Sequence, residues 1–173
     1  MDITRSTGLF NCNNESLNSF LKSEEIRNYE IEQFGRTTFV YCEKSLAAYY
    51  TICYGQLRKE YLKKWESFVR LSEWHLDNVP AIIIGRLAVD MNWQNKGIGR
   101  TIIQRIAMLA LENSKFCGLR LLLVQAKDKA FPFYEKLGFK YVSETREEIK
   151  RIRMKRTKTM FFDISVLNYL KND

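Results

Sequence analysis

The segment AIIIGRLAVDMNWQNKGIGRTIIQRIAMLALEN, residues 81–113, does most to restrict what this chain can fold into. Residues 81–89 are nearly all apolar, which predicts a strand covered on both faces. Residues 90–96 are polar apart from Met91 and Trp93. Beyond Gly97 the apolar positions Ile98, Ile102, Ile106 and Leu109, with Ile103 and Ala110 beside them, recur at helical spacing and predict one buried stripe. The order is therefore strand, short polar loop, helix.

The loop has the chemistry of an anion site. The first turn of a helix carries unpaired N–H groups and the positive end of the dipole. Gly97 and Gly99 lack a Cβ, so a diphosphate could approach the main chain, and Lys96 and Arg100 add positive charge. The same glycines would also serve a plain strand-to-helix connection packed closely. Two phosphate signatures are excluded. A Walker A loop needs Gly-Lys-Ser/Thr, whereas Lys96 precedes its glycine; the dinucleotide fingerprint needs a third glycine where Ile102 stands.

A chain of 173 residues builds one domain with a substantial core, expected to span residues 1–173, and 46 % hydrophobic residues exclude a disordered polymer. No apolar run reaches the length of a membrane span, and no signal-peptide layout opens the chain, so a cytoplasmic protein that does not engage membrane is expected. Cys12, Cys42, Cys53 and Cys117 are far apart, and His75 stands alone, so no metal site is expected and the cysteines read as reduced thiols. The net charge of +8 favours anionic partners. Residues 140–158 hold eight basic against three acidic side chains, either a solvated loop or a binding surface. Residues 56–78 interleave Arg58, Lys59, Lys63, Lys64 and Arg70 with Trp65, Phe68 and Trp74. That pattern fits a helix burying its aromatics or a nucleic-acid surface.

Elsewhere the pattern predicts a short edge strand in residues 1–10 and a helix over 15–30 capped by Asn13 or Asn14. It predicts a hairpin of strands 36–42 and 45–54 turning at Glu43-Lys44, and a strand over 119–125 parallel to the first. A short helix over 130–137 stopped by Gly138, a strand from 139 to 143 and a closing strand over 159–164 complete the chain.

Two motifs belong together. Gln94-Asn95-Lys96-Gly97-Ile98-Gly99 reads Q-x-x-G-x-G between the strand and the helix, and Phe133 to Phe139 reads FYEKLGF. Both resemble the signatures of the GNAT N-acetyltransferase superfamily. The resemblance implies an α/β (α+β) fold: a mixed, mostly antiparallel twisted sheet of six or seven strands with a splayed parallel pair, flanked by about four helices. It implies acetyl-CoA as co-substrate. The main chain of Leu87, Ala88 and Val89 would hold the pantetheine arm, and Gln94, Asn95, Lys96, Gly97, Ile98, Gly99, Arg100 and Thr101 the diphosphate. Phe133 would line the channel, Val89 N–H would hold the oxyanion, and Tyr134 would protonate the leaving thiolate. Read without the family, Tyr134 is equally a core aromatic.

Many members of this superfamily place a glutamate on the central strand as general base. Here that stretch is Ala81-Ile82-Ile83-Ile84-Gly85, without a carboxylate, and Asp90 at the strand exit reads as a loop-positioning residue. A weakly basic amine needs such a base least. Free α-amines have a pKa near ~7.7–8.0 against ~10.4 for lysine. The segments FNCNNESLNSFL, FGRTTFVYCE and VPAIIIGRLAVD, with FYEKLGF, further resemble the TacT/AtaT-type toxin branch, which acetylates the α-amine of aminoacyl-tRNA. That resemblance implies tRNA and a ribbon-helix-helix antitoxin as partners, and a homodimer. Two other readings stay open: an acetyltransferase for a small amine, a peptide N-terminus or a protein lysine, and a non-catalytic module binding coenzyme A or nucleic acid.

Overall fold

The computed structural model describes residues 8–62, 65, 75–142 and 157–169. Its strands are β1 (Arg36–Cys42), β2 (Ser45–Arg58), β3 (Asn78–Val89), β4 (Leu121–Lys127), β5 (Lys140–Tyr141) and β6 (Thr157–Asp163), ordered β1-β2-β3-β4-β6-β5 in one sheet. β3 and β4 are the parallel pair, while β1/β2, β4/β6 and β5/β6 run antiparallel. This is the mixed α/β sheet that the sequence leads one to expect. The helices are α1 (Glu15–Lys22), α2 (Glu25–Ile31), α3 (Ile98–Asn113), α4 (Phe131–Lys136) and α5 (Val166–Tyr169). By contacts the chain divides into two compact units: Met1–Cys53 with Ile84–Ile106, and Tyr54–Ile83 with Ala107–Asp173.

In the first unit β1 has its expected limits, and the hairpin turns at Glu43 and Lys44, with φ of 49° and 67°. Two successive left-handed residues twist a two-residue turn to match its strands. The core gathers Phe10, Phe20, Leu21, Leu46 and Ala88 around a fully buried Tyr49. Tyr49 packs against Phe10 at 5.6 Å and Phe20 at 6.1 Å between ring centroids. Its hydroxyl donates to the Leu17 carbonyl at 2.7 Å, so the buried polar atom is satisfied.

The single helix expected over 15–30 is two helices. Asn14 caps α1, its side chain accepting from Leu17 N. Ser23 ends α1 in an extended conformation, where its N–H and hydroxyl both bond the Phe20 carbonyl at 3.2 and 2.9 Å. A serine that captures a backbone acceptor in this way competes with helix continuation. The second half of β3 also departs from expectation. Gly85 is exposed, and Arg86 and Leu87 are half-buried, so this part of the strand is not covered on both faces. The guanidinium of Arg86 lies 3.5 Å from the centroid of the Phe20 ring and 4.9 Å from that of Tyr29, and it pairs with Glu25 at 2.9 Å. A strand that must carry a cation here cannot be wholly apolar on that face.

In the second unit Leu57, Leu62, Val79, Ala81, Leu121, Leu123, Val142 and Phe161 form the core. Trp65 packs edge-on against Phe161, centroids 5.7 Å apart, and its indole N–H donates to the Tyr141 carbonyl at 3.2 Å. Arg120 grips Asp163 in a bidentate pair at 2.7 and 2.9 Å, and the Ser165 N–H and hydroxyl donate to the same carboxylate. β2 runs on to Arg58 and β3 starts at Asn78, so Pro80 lies inside the strand. β4 and β6 each lie about two residues from their expected limits.

Along α3 the buried residues are Ile102, Ile103, Ile106, Ala107, Ala110 and Leu111. Leu109, expected in the stripe, is 38 % exposed, and Ile98 is half-buried. At about 100° per residue, the stripe centres between Ile103 and Ile106, and Leu109 falls at its margin. Of the short edge strand expected over residues 1–10, residues 1–7 lie outside the described residues and residues 8 and 9 are helical instead; residues 63–64 and 66–74 of the basic-aromatic segment and residues 143–156 of the basic run also lie outside them. The cysteines Cys12, Cys42, Cys53 and Cys117 are not joined in disulfides, and His75 is exposed.

Candidate active site

In the first unit the loop after β3 is built on Asp90. Its side chain is 5 % exposed and receives three N–H donors. Asn11 N donates to one oxygen at 2.8 Å, and Asn92 N and Nδ2 to the other at 2.9 and 3.0 Å. Asp90 N–H donates to the Ala47 carbonyl, and Met91 N–H to the Asn11 carbonyl. With its lone pairs so engaged, Asp90 positions the loop and is no candidate for a general base.

One 3-10 turn, Met91–Trp93, leads to Gln94. The Gln94 side chain reaches back, its amide donating to the carbonyls of Val89 at 2.9 Å and Cys12 at 3.3 Å. Asn95 (φ 59°) and Gly97 (φ 83°) then swing the chain into α3. The Gly97 carbonyl accepts from Thr101 N at 3.1 Å and Thr101 Oγ1 at 3.4 Å. That leaves the N–H groups of Ile98, Gly99 and Arg100 in the unpaired first turn. A Cβ built on Gly97 would meet nothing within 4 Å, so the space beside this residue is open. Gln94, Asn95, Lys96, Gly97, Arg100 and Thr101 are exposed, and Ile98 and Gly99 are half-buried.

Two details refine the sequence reading of this loop. The Lys96 ammonium folds back over the Trp93 ring, 4.7 Å from its centroid, rather than standing clear as a flanking charge. The Gln94 amide is spent on protein carbonyls, so what this residue can offer an anion is its main chain. On β3 the Ala88 side chain is buried in the Tyr49 core, while Leu87 and Val89 are half-buried.

In the second unit YEKLGF folds into a helix stop that fixes Tyr134. Gly138 (φ 86°) donates its N–H to the Glu135 carbonyl at 2.9 Å, and Phe139 donates to the Tyr134 carbonyl at 3.1 Å. This is the Schellman pair of bonds, with its usual apolar contact: the Phe139 and Tyr134 rings pack edge-on at 5.3 Å. Phe133, half-buried, packs edge-on against the Tyr134 ring at 5.0 Å.

Tyr134 is only 5 % exposed, and burial pushes its phenol well above the usual tyrosine value. It is therefore protonated throughout the neutral range. Among the described residues its hydroxyl has no hydrogen-bond partner, unlike that of Tyr49, which is also buried. A buried donor left unpaired costs about 1–3 kcal/mol and calls for a reason.

Sequence reasoning passed over Asn11 and Asn18. Asn18 is buried on α1; its Oδ1 accepts from Cys12 N at 3.0 Å and its Nδ2 donates to Asn11 Oδ1 at 3.0 Å. The available signal was four asparagines within residues 11–18, more than one helix cap requires.

A parallel strand pair lies within the mixed sheet, and a glycine turn delivers β3 into the N-terminus of α3. Residues 49–141 match the family model described as "Acetyltransferase (GNAT) domain", and the chain belongs to this family of N-acetyltransferases. It is 27 % identical over 132 residues to the tRNA-acetylating toxin of Mycobacterium tuberculosis, covering 75 % of each chain. Among solved structures it resembles AtaT complexed with acetyl-methionyl-tRNAfMet, with TM-score 0.78, 24 % identity, and 95 % of this chain and 91 % of that one covered. It also resembles a Tyr-to-Phe mutant of AtaT bound to the C-terminus of the antitoxin AtaR and acetyl-CoA, with TM-score 0.71, 24 % identity and coverage of 96 % and 90 %.

Proposed function

We propose that this protein transfers an acetyl group from acetyl-CoA to the α-amine of aminoacyl-tRNA, in the manner of a translation-blocking toxin held by an antitoxin. The observation that carries the reading is Tyr134: a protonated, buried phenol with no hydrogen-bond partner among the described residues, held in place by a helix stop. A core tyrosine would be satisfied as Tyr49 is; a proton donor for a leaving thiolate must keep its hydroxyl available.

In this reading Gln94, Asn95, Lys96, Gly97, Ile98, Gly99, Arg100 and Thr101 hold the diphosphate, chiefly through main-chain N–H groups. The open space beside Gly97 supports this reading. The main chain of Leu87, Ala88 and Val89 holds the pantetheine arm, and Phe133 lines its end. A neutral amine attacks the thioester carbonyl carbon, forming the N–C bond. Val89 N–H stabilises the oxygen as it gains charge. The C–S bond then breaks, Tyr134 gives its proton to the thiolate, and the proton that the amine releases to water restores the phenol from solvent.

The acceptor follows from the missing base. Residues 81–85 of β3 bear no carboxylate, and Asp90 is engaged by three N–H donors. An amine that is partly neutral without help suits such a site. An α-amine beside an ester is that kind of amine, whereas lysine is not. Likeness to the mycobacterial tRNA-acetylating toxin and to AtaT with acetyl-methionyl-tRNAfMet and with AtaR supports the acceptor and the partner. The charge of +8 suits RNA phosphates, and the reaction belongs in the cytoplasm.

The test is acetyl-CoA turnover, read as released thiol, with charged tRNA and with a panel of small amines, peptides and a lysine-bearing protein. Turnover confined to charged tRNA is expected. Turnover only with the panel would transfer the activity to another acceptor, and binding without any turnover would mark a non-catalytic module.

A further inference from the structure

The diphosphate loop does not stand on β3 and α3 alone. Its base is clasped to a segment some eighty residues earlier. Asn11 N–H donates to Asp90 Oδ2 at 2.8 Å, and the Asn11 carbonyl accepts from Met91 N–H at 2.8 Å. The Cys12 carbonyl accepts from the Gln94 side chain at 3.3 Å. The segment is itself held from α1. Asn18 Nδ2 donates to Asn11 Oδ1 at 3.0 Å, and Asn18 Oδ1 accepts from Cys12 N–H at 3.0 Å and from the Cys12 thiol at 3.1 Å. Asn11 Oδ1 also accepts from Asn13 N–H at 2.9 Å. An unbroken run of hydrogen bonds therefore leads from a buried amide on α1 to the residue preceding Asn95 and Gly97, where the chain turns toward the helix.

We infer that Asn18 and Asp90 are positioning residues for the coenzyme A diphosphate, acting through the Asn11–Cys12 segment and touching neither cofactor nor acceptor. This rests on the reading of Gln94 through Thr101 as the diphosphate loop. The physical argument is preorganisation. Main-chain donors stabilise an anion in proportion to how well they are aimed before it arrives, and a small misplacement is costly. Asn95 and Gly97 both carry positive φ, so the stretch between the Met91–Trp93 turn and α3 has no regular secondary structure of its own to hold it in shape. The clasp supplies that restraint. All three groups facing the Asp90 carboxylate are donors, so an amide there must turn an N–H toward an N–H.

The test uses two ligands that share the acetyl thioester and pantetheine arm. Acetyl-CoA carries the diphosphate, and S-acetylpantetheine does not. Affinity for each is measured by calorimetry on the full chain, for wild type, Asp90→Asn and Asn18→Leu. In either variant acetyl-CoA should bind roughly tenfold to a hundredfold more weakly. S-acetylpantetheine should bind within about twofold of wild type, since the clasp sets only the donors it does not use. Equal losses for both ligands would reduce the clasp to a general structural role and overturn the proposal. So would unchanged acetyl-CoA affinity in both variants. A wild-type protein binding the two ligands equally well would overturn the loop reading itself, and this inference with it.

Discussion

The side-chain amide of Gln94 donates to the carbonyl of Val89 at 2.9 Å, tying the start of the glycine turn to the last residue of β3. One hydrogen bond thus joins the residue proposed to hold the oxyanion to the loop proposed to hold the diphosphate. It also fixes how the turn at Asn95 and Gly97 leaves the strand, which makes Gly97 the first place to test the account.

Gly97→Val is expected to weaken coenzyme A binding at least tenfold. The φ of 83° costs a side-chain-bearing residue about 1–2 kcal/mol, and the new side chain would fill the open space beside this residue of the proposed diphosphate loop. Calorimetry with coenzyme A reads the affinity. A melting curve separates a modest stability loss from the larger binding loss.

Tyr134→Phe should lower kcat by about 10²–10⁴-fold while coenzyme A affinity stays near wild type. Because the hydroxyl has no partner among the described residues, removing it should leave the melting temperature unchanged or raised. Tyr49→Phe provides the contrast. Its hydroxyl bonds the Leu17 carbonyl, so that variant should lose about 1 kcal/mol in denaturant unfolding.

Alkaline unfolding should follow from the same two tyrosines. Burial raises the pKa of both in the folded protein, so above the ordinary tyrosine value of about 10 the unfolded chain gives up protons that the folded chain keeps. Stability should be level below that pH and fall as pH rises past it. Chemical denaturation across the range should show a shallower alkaline fall in Tyr134→Phe.

Asp163 governs the acid side. Its partial burial opposes ionisation, but hydrogen bonds from Arg120 and Ser165 outweigh that and hold its carboxyl below the usual value. Its contribution is therefore present above the unfolded-state value of about 3.9 and is lost as pH falls below it. Arg120→Met should flatten this acid limb and lower stability at neutral pH by about 3–5 kcal/mol at most, less the screening that a partly exposed pair enjoys.

Most of the sheet could be read from local pattern, because its information is local: β1 lies where alternating β-branched and aromatic residues place it, and the turn falls on Glu43-Lys44. The limits of β3 and β4 depend on partners distant in sequence. Pro80, which precedes the strand expected over 81–89, sits within β3, and its carbonyl accepts from Arg120 N–H. The break between α1 and α2 turns on a hydroxyl that competes for one carbonyl, which a periodicity average cannot register. In the candidate site, the glycine turn and the tyrosine were legible because backbone geometry and helix stopping have residue signatures. The clasp was not, because Asn11 contributes its main-chain N–H and carbonyl to it, and these leave no trace in residue identity. The Lys96 placement over Trp93 was equally hidden, since charge alone does not say where a flexible side chain rests.

The most direct measurement is mass spectrometry of the aminoacyl group released from a charged tRNA pool after incubation with the protein and acetyl-CoA. The account predicts that at least one amino acid gains the mass of a single acetyl group at its α-amine, and that the gain is lost in Tyr134→Phe. A full set of charged tRNAs recovered unmodified, from protein that binds coenzyme A, would contradict it.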